Sequence, residues 1–275
     1  MDDRKILVTG SRGFIGAAAV RELEHRGIGS IAFDYPCDVT NRDEVLIAAE
    51  NADGIINLAG ILGTAEIFGA EYEAAEVNIL GAINVFDAAQ KFDLPLVQIA
   101  TGHEGQPNPY AITKLCATQL AMARAQFSGL KVNSVKAYHV YGPGQKMCAP
   151  HGTSKVRKII PSFVARALTG MPIEINGTGE QMVDMCYLND VAKVICDGLE
   201  APYGRIMEAG TGIGVKVNDV ARTVIQQCHS LSDIVYLPMR MGEPADSVVV
   251  AKNPLCKNPW PYQLNTTIDW YRDHL

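Results

Sequence analysis

Lys5-Ile6-Leu7-Val8-Thr9-Gly10-Ser11-Arg12-Gly13-Phe14-Ile15-Gly16 is the stretch that decides how this chain folds. An apolar run over Ile6–Thr9 reads as a buried strand. Three glycines spaced GxxGxxG follow at once, and a helical pattern over Phe14–His25 begins inside them. A glycine loop between strand and helix lets the backbone approach a pyrophosphate, which sits on the partial positive charge of the helix N-terminus. The spacing is one residue longer than the common GxGxxG, and a glycine triplet alone can be a plain turn. The strand before it, the helix after it and an acid downstream make dinucleotide binding the stronger reading.

That acid is Asp34, at the end of a second strand over Ser30–Phe33. A carboxylate there would accept hydrogen bonds from the adenosine ribose and repel a 2′-phosphate, which favours NAD. Arg12 inside the loop pulls toward NADP, because a guanidinium can grip a 2′-phosphate. Asp34 also reads as a turn-capping aspartate. Asp38 and Val39, four and five residues on, would lie by the adenine.

Outward from this unit, apolar strand patterns at Gly54–Leu58, Pro95–Ala100 and Lys131–Tyr138 alternate with helical patterns at Arg42–Ala49, Tyr72–Phe92 and Tyr110–Phe127. Such alternation, with strands that barely alternate in polarity, predicts an α/β fold with a doubly wound parallel sheet covered on both faces. From about Tyr141, Gly and Pro punctuate shorter elements. The expected organisation is a dinucleotide-binding domain over 1–150, completed by strands from 173–208, and a small substrate-binding lobe made mainly of 151–275.

Tyr110 and Lys114 stand four apart in Asn108-Pro109-Tyr110-Ala111-Ile112-Thr113-Lys114, on one face of a helix. A phenol titrates near about 10, and an adjacent ammonium is expected to lower that value. The pair reads as a tyrosine tuned to move a proton. By itself the spacing also suits a solvated helix face.

Among 275 residues, 48% are apolar and 20% charged, and the net charge is −6. That balance argues against nucleic acid, which demands clustered cations; the one cluster, Lys155-Val156-Arg157-Lys158, would suit one or two phosphates. No apolar run reaches membrane-spanning length, and no signal-peptide series is expected at the N-terminus, so a cytoplasmic location is expected. Seven scattered cysteines without paired spacing suggest reduced thiols and no metal site.

With these residues in view, the chain resembles the extended short-chain dehydrogenases/reductases of the NAD-dependent nucleotide-sugar epimerase/dehydratase family. The resemblance runs over nearly the whole length. It rests on Thr9–Gly16, Asn57-Leu58-Ala59-Gly60, Asn78–Asn84, the Tyr110/Lys114 pair, Tyr141-Gly142-Pro143-Gly144, Asn176–Gly179, Tyr187–Ala192 and Arg240–Pro244. It implies a Rossmann-type sheet, with Thr101 as the catalytic Ser/Thr beside Tyr110 and with Lys114 on the nicotinamide ribose. The implied cofactor set is Gly10, Arg12, Gly13, Phe14, Ile15, Gly16, Asp34, Asp38, Val39, Leu58, Ala59, Gly60, Asn78, Tyr110, Lys114, Tyr138 and Val140. The helices of 72–92 and 110–127 would pair two subunits through a four-helix bundle, giving a homodimer.

Four departures bear on the reaction. Only eight residues separate Thr101 from Tyr110, where relatives keep a longer substrate loop. Gly102 and His103 stand where related 4,6-dehydratases keep an acid pair. His139 replaces a common Asn, and Met182-Val183-Asp184-Met185 lacks an arginine used on the substrate diphosphate. Arg240 is the candidate for that task, helped by Lys155, Arg157 or Lys158. His103 is a candidate acid/base titrating near neutrality, or a residue that shapes a short loop. Glu104, Cys148, His151 and Lys158 are further acid/base candidates. His103, His139, Lys158 and Arg240 form the expected substrate set.

The expected activity is that of an NAD-dependent nucleotide-sugar epimerase or dehydratase acting through transient oxidation of a sugar hydroxyl to a ketone. A nucleotide-ketosugar reductase using NADPH is the alternative. A non-catalytic dinucleotide sensor on the same fold is an alternative of another class.

Overall fold

Successive residues of the first strand point into different halves of the core. Leu7 joins Phe33, Val45, Phe86 and Ala121 on one face, while Ile6 and Val8 join Ala19, Leu23, Val191 and Ile195 on the other. Both faces of the strand are therefore buried, as a parallel sheet between helix layers requires. The computed structural model describes residues 3–275.

Chain order in the first part is β1 (Lys5–Thr9), α1 (Phe14–His25), β2 (Gly29–Phe33), α2 (Arg42–Ala49), β3 (Gly54–Asn57), α3 (Glu71–Ala75), a π-helical turn (Glu76–Gly81), α4 (Ala82–Lys91), β4 (Leu96–Thr101), α5 (Pro109–Ser128) and β5 (Val132–Ala137). Then come β6 (His139–Tyr141), α6 (Ile159–Leu168), β7 (Ile173–Asn176), β8 (Met182–Tyr187), α7 (Leu188–Asp197), β9 (Ile206–Ala209), β10 (Gly214–Lys216), α8 (Val217–Gln227), β11 (Ile234–Leu237), β12 (Val248–Val249) and α9 (Leu264–Arg272).

Six parallel strands form the Rossmann-type sheet in the order β2-β1-β3-β4-β5-β9. The order reverses at β1, which pairs with β2 on one side and β3 on the other. The crevice beyond the strand ends at such a reversal is where open α/β sheets bind ligands. A buried polar chain ties the strands just below it. Thr9 Oγ1 donates to Asn57 Oδ1 at 2.5 Å, and Asn57 Nδ2 donates to Gln98 Oε1 at 2.7 Å. The Leu58 and Ala59 amides donate back to Thr9 Oγ1, fixing the loop that leaves β3.

Two expected boundaries shift. The helix expected over Tyr72–Phe92 is broken in three, because the segment Glu76–Gly81 winds as a π-turn. Its cause is tertiary. Gly81 presses on Val39, where a Cβ would lie 2.7 Å from Val39 Cγ2, and Asn78 reaches across to bond Ile61 at both N and O. Of the strands in 173–208, only β9 joins the central sheet. β7 pairs with β11, and β8 sits among β6, β10 and β12.

The smaller lobe packs α6, α8 and α9 around Phe163, Ile175, Val220, Ile268 and Tyr271. Asp184, fully buried on β8, ties this lobe to the large one. Its carboxylate accepts from the Thr211, Gly212 and Ala251 amides and from Thr211 Oγ1 at 2.5 Å.

Candidate active site

The chemistry-bearing residues meet at the carboxyl ends of β4 and β5. Thr101 is the last residue of β4, and Tyr110 is the second residue of α5. Asn108 sets the start of that helix. Its Oδ1 caps the Ala111 amide at 2.9 Å and Pro109 occupies the first turn, a combination legible in Asn108-Pro109 although the sequence reading assigned Asn108 no role. The short loop between is pinned by Gly102, where a Cβ would lie 2.5 Å from Tyr138 Cδ1. Thr101 is the side chain that favours the charged form of the Tyr110 phenol.

Lys114, one turn along α5, is buried, and its Nζ lies 3.4 Å from Ala59 O. Desolvation pushes its ammonium down to about 8. Burial also raises the Tyr110 phenol above its ordinary value, with the Thr101 hydroxyl opposing. This corrects the sequence expectation that Lys114 lowers the tyrosine. Desolvation acts on both groups, and Thr101 is the group that favours the phenolate.

His103 is half-buried next to Thr101. Its backbone N–H and its Nδ1 lie 3.2 and 3.0 Å from Thr101 Oγ1. Its Nε2 lies 3.3 Å from His139 Nε2, with the rings edge to face at 4.7 Å. Burial, followed by the Lys158 charge, pushes His103 down to about 4, and His139 is also held well below its ordinary value. Titration of His103 near neutrality is therefore corrected: both imidazoles are neutral at neutral pH.

The cationic candidates divide. Arg240 Nη2 is paired with Glu66 at 2.6 Å, and its Nη1 lies 3.4 Å from Glu243, so its charge is already balanced. Glu66 carried no signal in the sequence, because its partner is far away along the chain. Arg157 and Arg166 share Glu174. Among the described residues Lys158 has no such pairing; burial lowers its ammonium. Glu104 is paired with Lys136 at 2.6 Å. His151 bonds Thr169, and Cys148 lines a small cavity beside Arg157 and Glu174, so neither is bonded to the Thr101–Tyr110 group.

On the nucleotide side, Gly10 has φ +63°, and a Cβ at Gly16 would fall 2.0 Å from Gly10 O, so only glycine lets helix and loop close up. The N-terminus of α1 has no side-chain cap and no acid in its first turn. Ser11 Oγ is buried there without a partner among the described residues. These features fit a dinucleotide diphosphate. Asp34 accepts from the Arg12 amide through Oδ2 and from the Tyr35 amide through Oδ1, each at 2.8 Å, which leaves each oxygen a lone pair for a ribose hydroxyl. The Arg12 guanidinium is held by Tyr35 O at 3.1 Å.

Six of the expected cofactor contacts have structural duties. Asp38 accepts from the Thr40 amide in the turn before α2, and Val39 is buried in the core beneath Gly81. Phe14 and Ile15 pack with Val140 against Ala18 and Leu188. Asn78 in the π-turn donates to Thr113 Oγ1 and lines Gly60 next to Lys114. Among the described residues, no cluster of His, Cys, Asp or Glu could hold a metal, and no helix is long and apolar enough to cross a membrane.

Comparison with known proteins gives the family. The model of the NAD dependent epimerase/dehydratase family matches residues 6–210. A UDP-N-acetyl-alpha-D-glucosaminuronate decarboxylase of Bacillus cytotoxicus is 25% identical, with 98% of each chain covered. A dTDP-4-dehydro-6-deoxy-D-allose reductase of Streptomyces bikiniensis is 24% identical over 98% of this chain and 97% of its own. The solved UDP-glucose 4-epimerase of Thermus thermophilus, in complex with NAD, superposes with a TM-score of 0.84 at 24% identity, covering 98% of this chain and all of its own.

Proposed function

Because the chain belongs to the NAD dependent epimerase/dehydratase family, we propose that it binds NAD and converts a nucleotide-diphosphate sugar by transient oxidation of a ring hydroxyl to a ketone. The observation that carries this reading is the convergence of Thr101, Tyr110 and Lys114 at the strand ends, beside an uncapped helix N-terminus framed by glycines. Gly10–Gly16 and the α1 N-terminus hold the diphosphate, Asp34 the adenosine ribose, and Lys114 the nicotinamide ribose. Bound NAD supplies reversible hydride acceptance.

Tyr110 takes the proton of the sugar hydroxyl, placed at C4 in this reading, and returns it at the end of the cycle. Thr101 serves the Tyr110 oxygen and favours its charged form. Lys114 is kept dry against Ala59 O, one helical turn from Tyr110, where it is placed to hold the nicotinamide ribose. His103 and His139 are neutral and lack the charge for an acid role at neutral pH, so the acid pair of 4,6-dehydratases has no counterpart at Gly102 and His103. Epimerisation at the oxidised carbon is accordingly preferred over elimination. Lys158 is the residue best suited to an anionic group of the substrate.

The exposed Tyr72, Leu80, Ile112 and Phe127 support a homodimer through the α3–α4 and α5 helices. A cytoplasmic location belongs to the same reading. One observation favours a reductase instead: Arg12 points its guanidinium at the Asp34–Tyr35 turn, where a 2′-phosphate would sit.

Nucleotide released from purified protein distinguishes the two. Retained NAD, with interconversion of a nucleotide sugar and no net change in nicotinamide absorbance, is the expected result. Stoichiometric consumption of freely exchanging NADPH overturns it. If neither nucleotide binds, the sensor and enzyme readings fall together.

A further inference from the structure

The hydrogen bonds around Thr101 can be counted, and the count fixes its direction. A threonine hydroxyl has one proton and two lone pairs. His103 approaches Oγ1 twice, with its backbone N–H at 3.2 Å and its Nδ1 at 3.0 Å. The backbone N–H takes one lone pair. Nδ1 either donates into the second lone pair or takes the hydroxyl proton, depending on the tautomer of His103.

That tautomer is set at the other ring nitrogen, 3.3 Å from His139 Nε2. One proton lies between the two nitrogens, so the neutral rings are coupled. If His139 donates, His103 carries its proton on Nδ1. If His103 donates, its Nδ1 is bare and the proton of His139 moves to its own Nδ1. His139 Nδ1 is buried and has no partner among the described residues. An N–H there would be a buried donor without an acceptor, set in the positive field of Lys158. A lone pair there has the favourable sign.

We infer that His139 holds His103 in the Nδ1–H tautomer, and that His103 thereby fills both lone pairs of Thr101 and makes its hydroxyl an obligate donor toward the Tyr110 oxygen. The histidines are positioning residues. No proton travels along them, and when Tyr110 gains or loses its own proton, Thr101 keeps the one it has. The consequence for catalysis rests on the proposed role of Tyr110, but the hydrogen-bond assignment does not.

The test therefore uses no substrate. Nitrogen-15 spectra of the histidine rings in the wild-type protein, assigned with His103→Asn and His139→Leu, read the tautomers between about pH 6 and 8. His103 should appear as neutral Nδ1–H and His139 as neutral Nε2–H. Tyr110, followed by carbon-13 in labelled tyrosine, should titrate about one pH unit higher in His139→Leu, the effect of losing one donor to a phenolate. His139→Gln, which retains a donor, should keep the wild-type midpoint. In a Thr101→Val background, His139→Leu should cause no further shift.

The opposite tautomer pair overturns the inference, as does a Tyr110 midpoint that stays put in His139→Leu or moves equally without Thr101. If His139→Leu does not fold, the wild-type spectra decide. Failure of the proposed activity would leave all of these signals where they are.

Discussion

Gly60 lies so close to Lys114 that a Cβ at residue 60 would stand 2.6 Å from the ammonium nitrogen and 2.8 Å from Asn78 Oδ1. The Leu58-Ala59-Gly60 run is thus the roof over the lysine, and the absent side chain leaves the space in which its head group is held. Gly60→Ala should displace Lys114 or lift the 59–61 backbone. Misplacement on the scale of an ångström should lower kcat/KM by about 100-fold. Steady-state kinetics with thermal melting checks it: an unchanged melting curve with unchanged kcat/KM would detach Lys114 from the chemistry.

Tyr110→Phe removes the proton-transfer oxygen and almost no volume. Turnover should fall by about 10²–10⁴-fold, while NAD binding, followed by fluorescence titration, should stay within about threefold. Activity left intact would remove Tyr110 from the mechanism.

Lys114 carries a stability cost with a definite sign. Its ammonium titrates near about 8 in the fold and at 10.5 in the unfolded chain. Below the folded value it is charged in both states and the fold bears the full desolvation cost. Between the two values the unfolded chain binds more protons, so this group's contribution to stability rises with pH. Lys114→Met should therefore stabilise the cofactor-free protein at neutral pH by about 1–3 kcal/mol while abolishing activity. Urea melts at neutral pH and near the unfolded value, where the gain should shrink, test both halves.

Asp184→Asn places an amide N–H₂ among the Thr211, Gly212 and Ala251 amides, which are all donors. The expected destabilisation is about 2–4 kcal/mol, measured by denaturant unfolding. A loss near zero would mean that the joint between the lobes is held elsewhere.

Much of the fold was legible because local signals agree with tertiary packing in the first half. The run Lys5–Gly16 announces strand, loop and helix, and each apolar strand has a helix beside it that covers one face. Tyr110 and Lys114 could be named as candidates from their spacing on one helix face, and Thr101 from the family resemblance. What escaped depends on contacts between distant segments. Nothing local in Glu76–Gly81 encodes Val39 pressing on Gly81. The pairing of Arg240 with Glu66 cancels a charge that looked free. The pKa directions at Tyr110 and His103 follow from burial, which composition does not carry, and Asp184 looked like an ordinary residue in a run noted only for a missing arginine.

The π-turn over Glu76–Gly81 holds more backbone per turn than the helices on either side of it. It therefore works as a phase adjuster: Asn78 meets Ile61 and Thr113 on one side of the turn while Val85 and Phe86 still enter the core on the other. Side-chain swaps at its exposed positions leave that phase alone. Winding the same residues as ordinary helix would rotate everything after them by about a quarter of a circle relative to what precedes them. The wider turn absorbs one residue's worth of rotation, so each flank keeps the face it presents to the core.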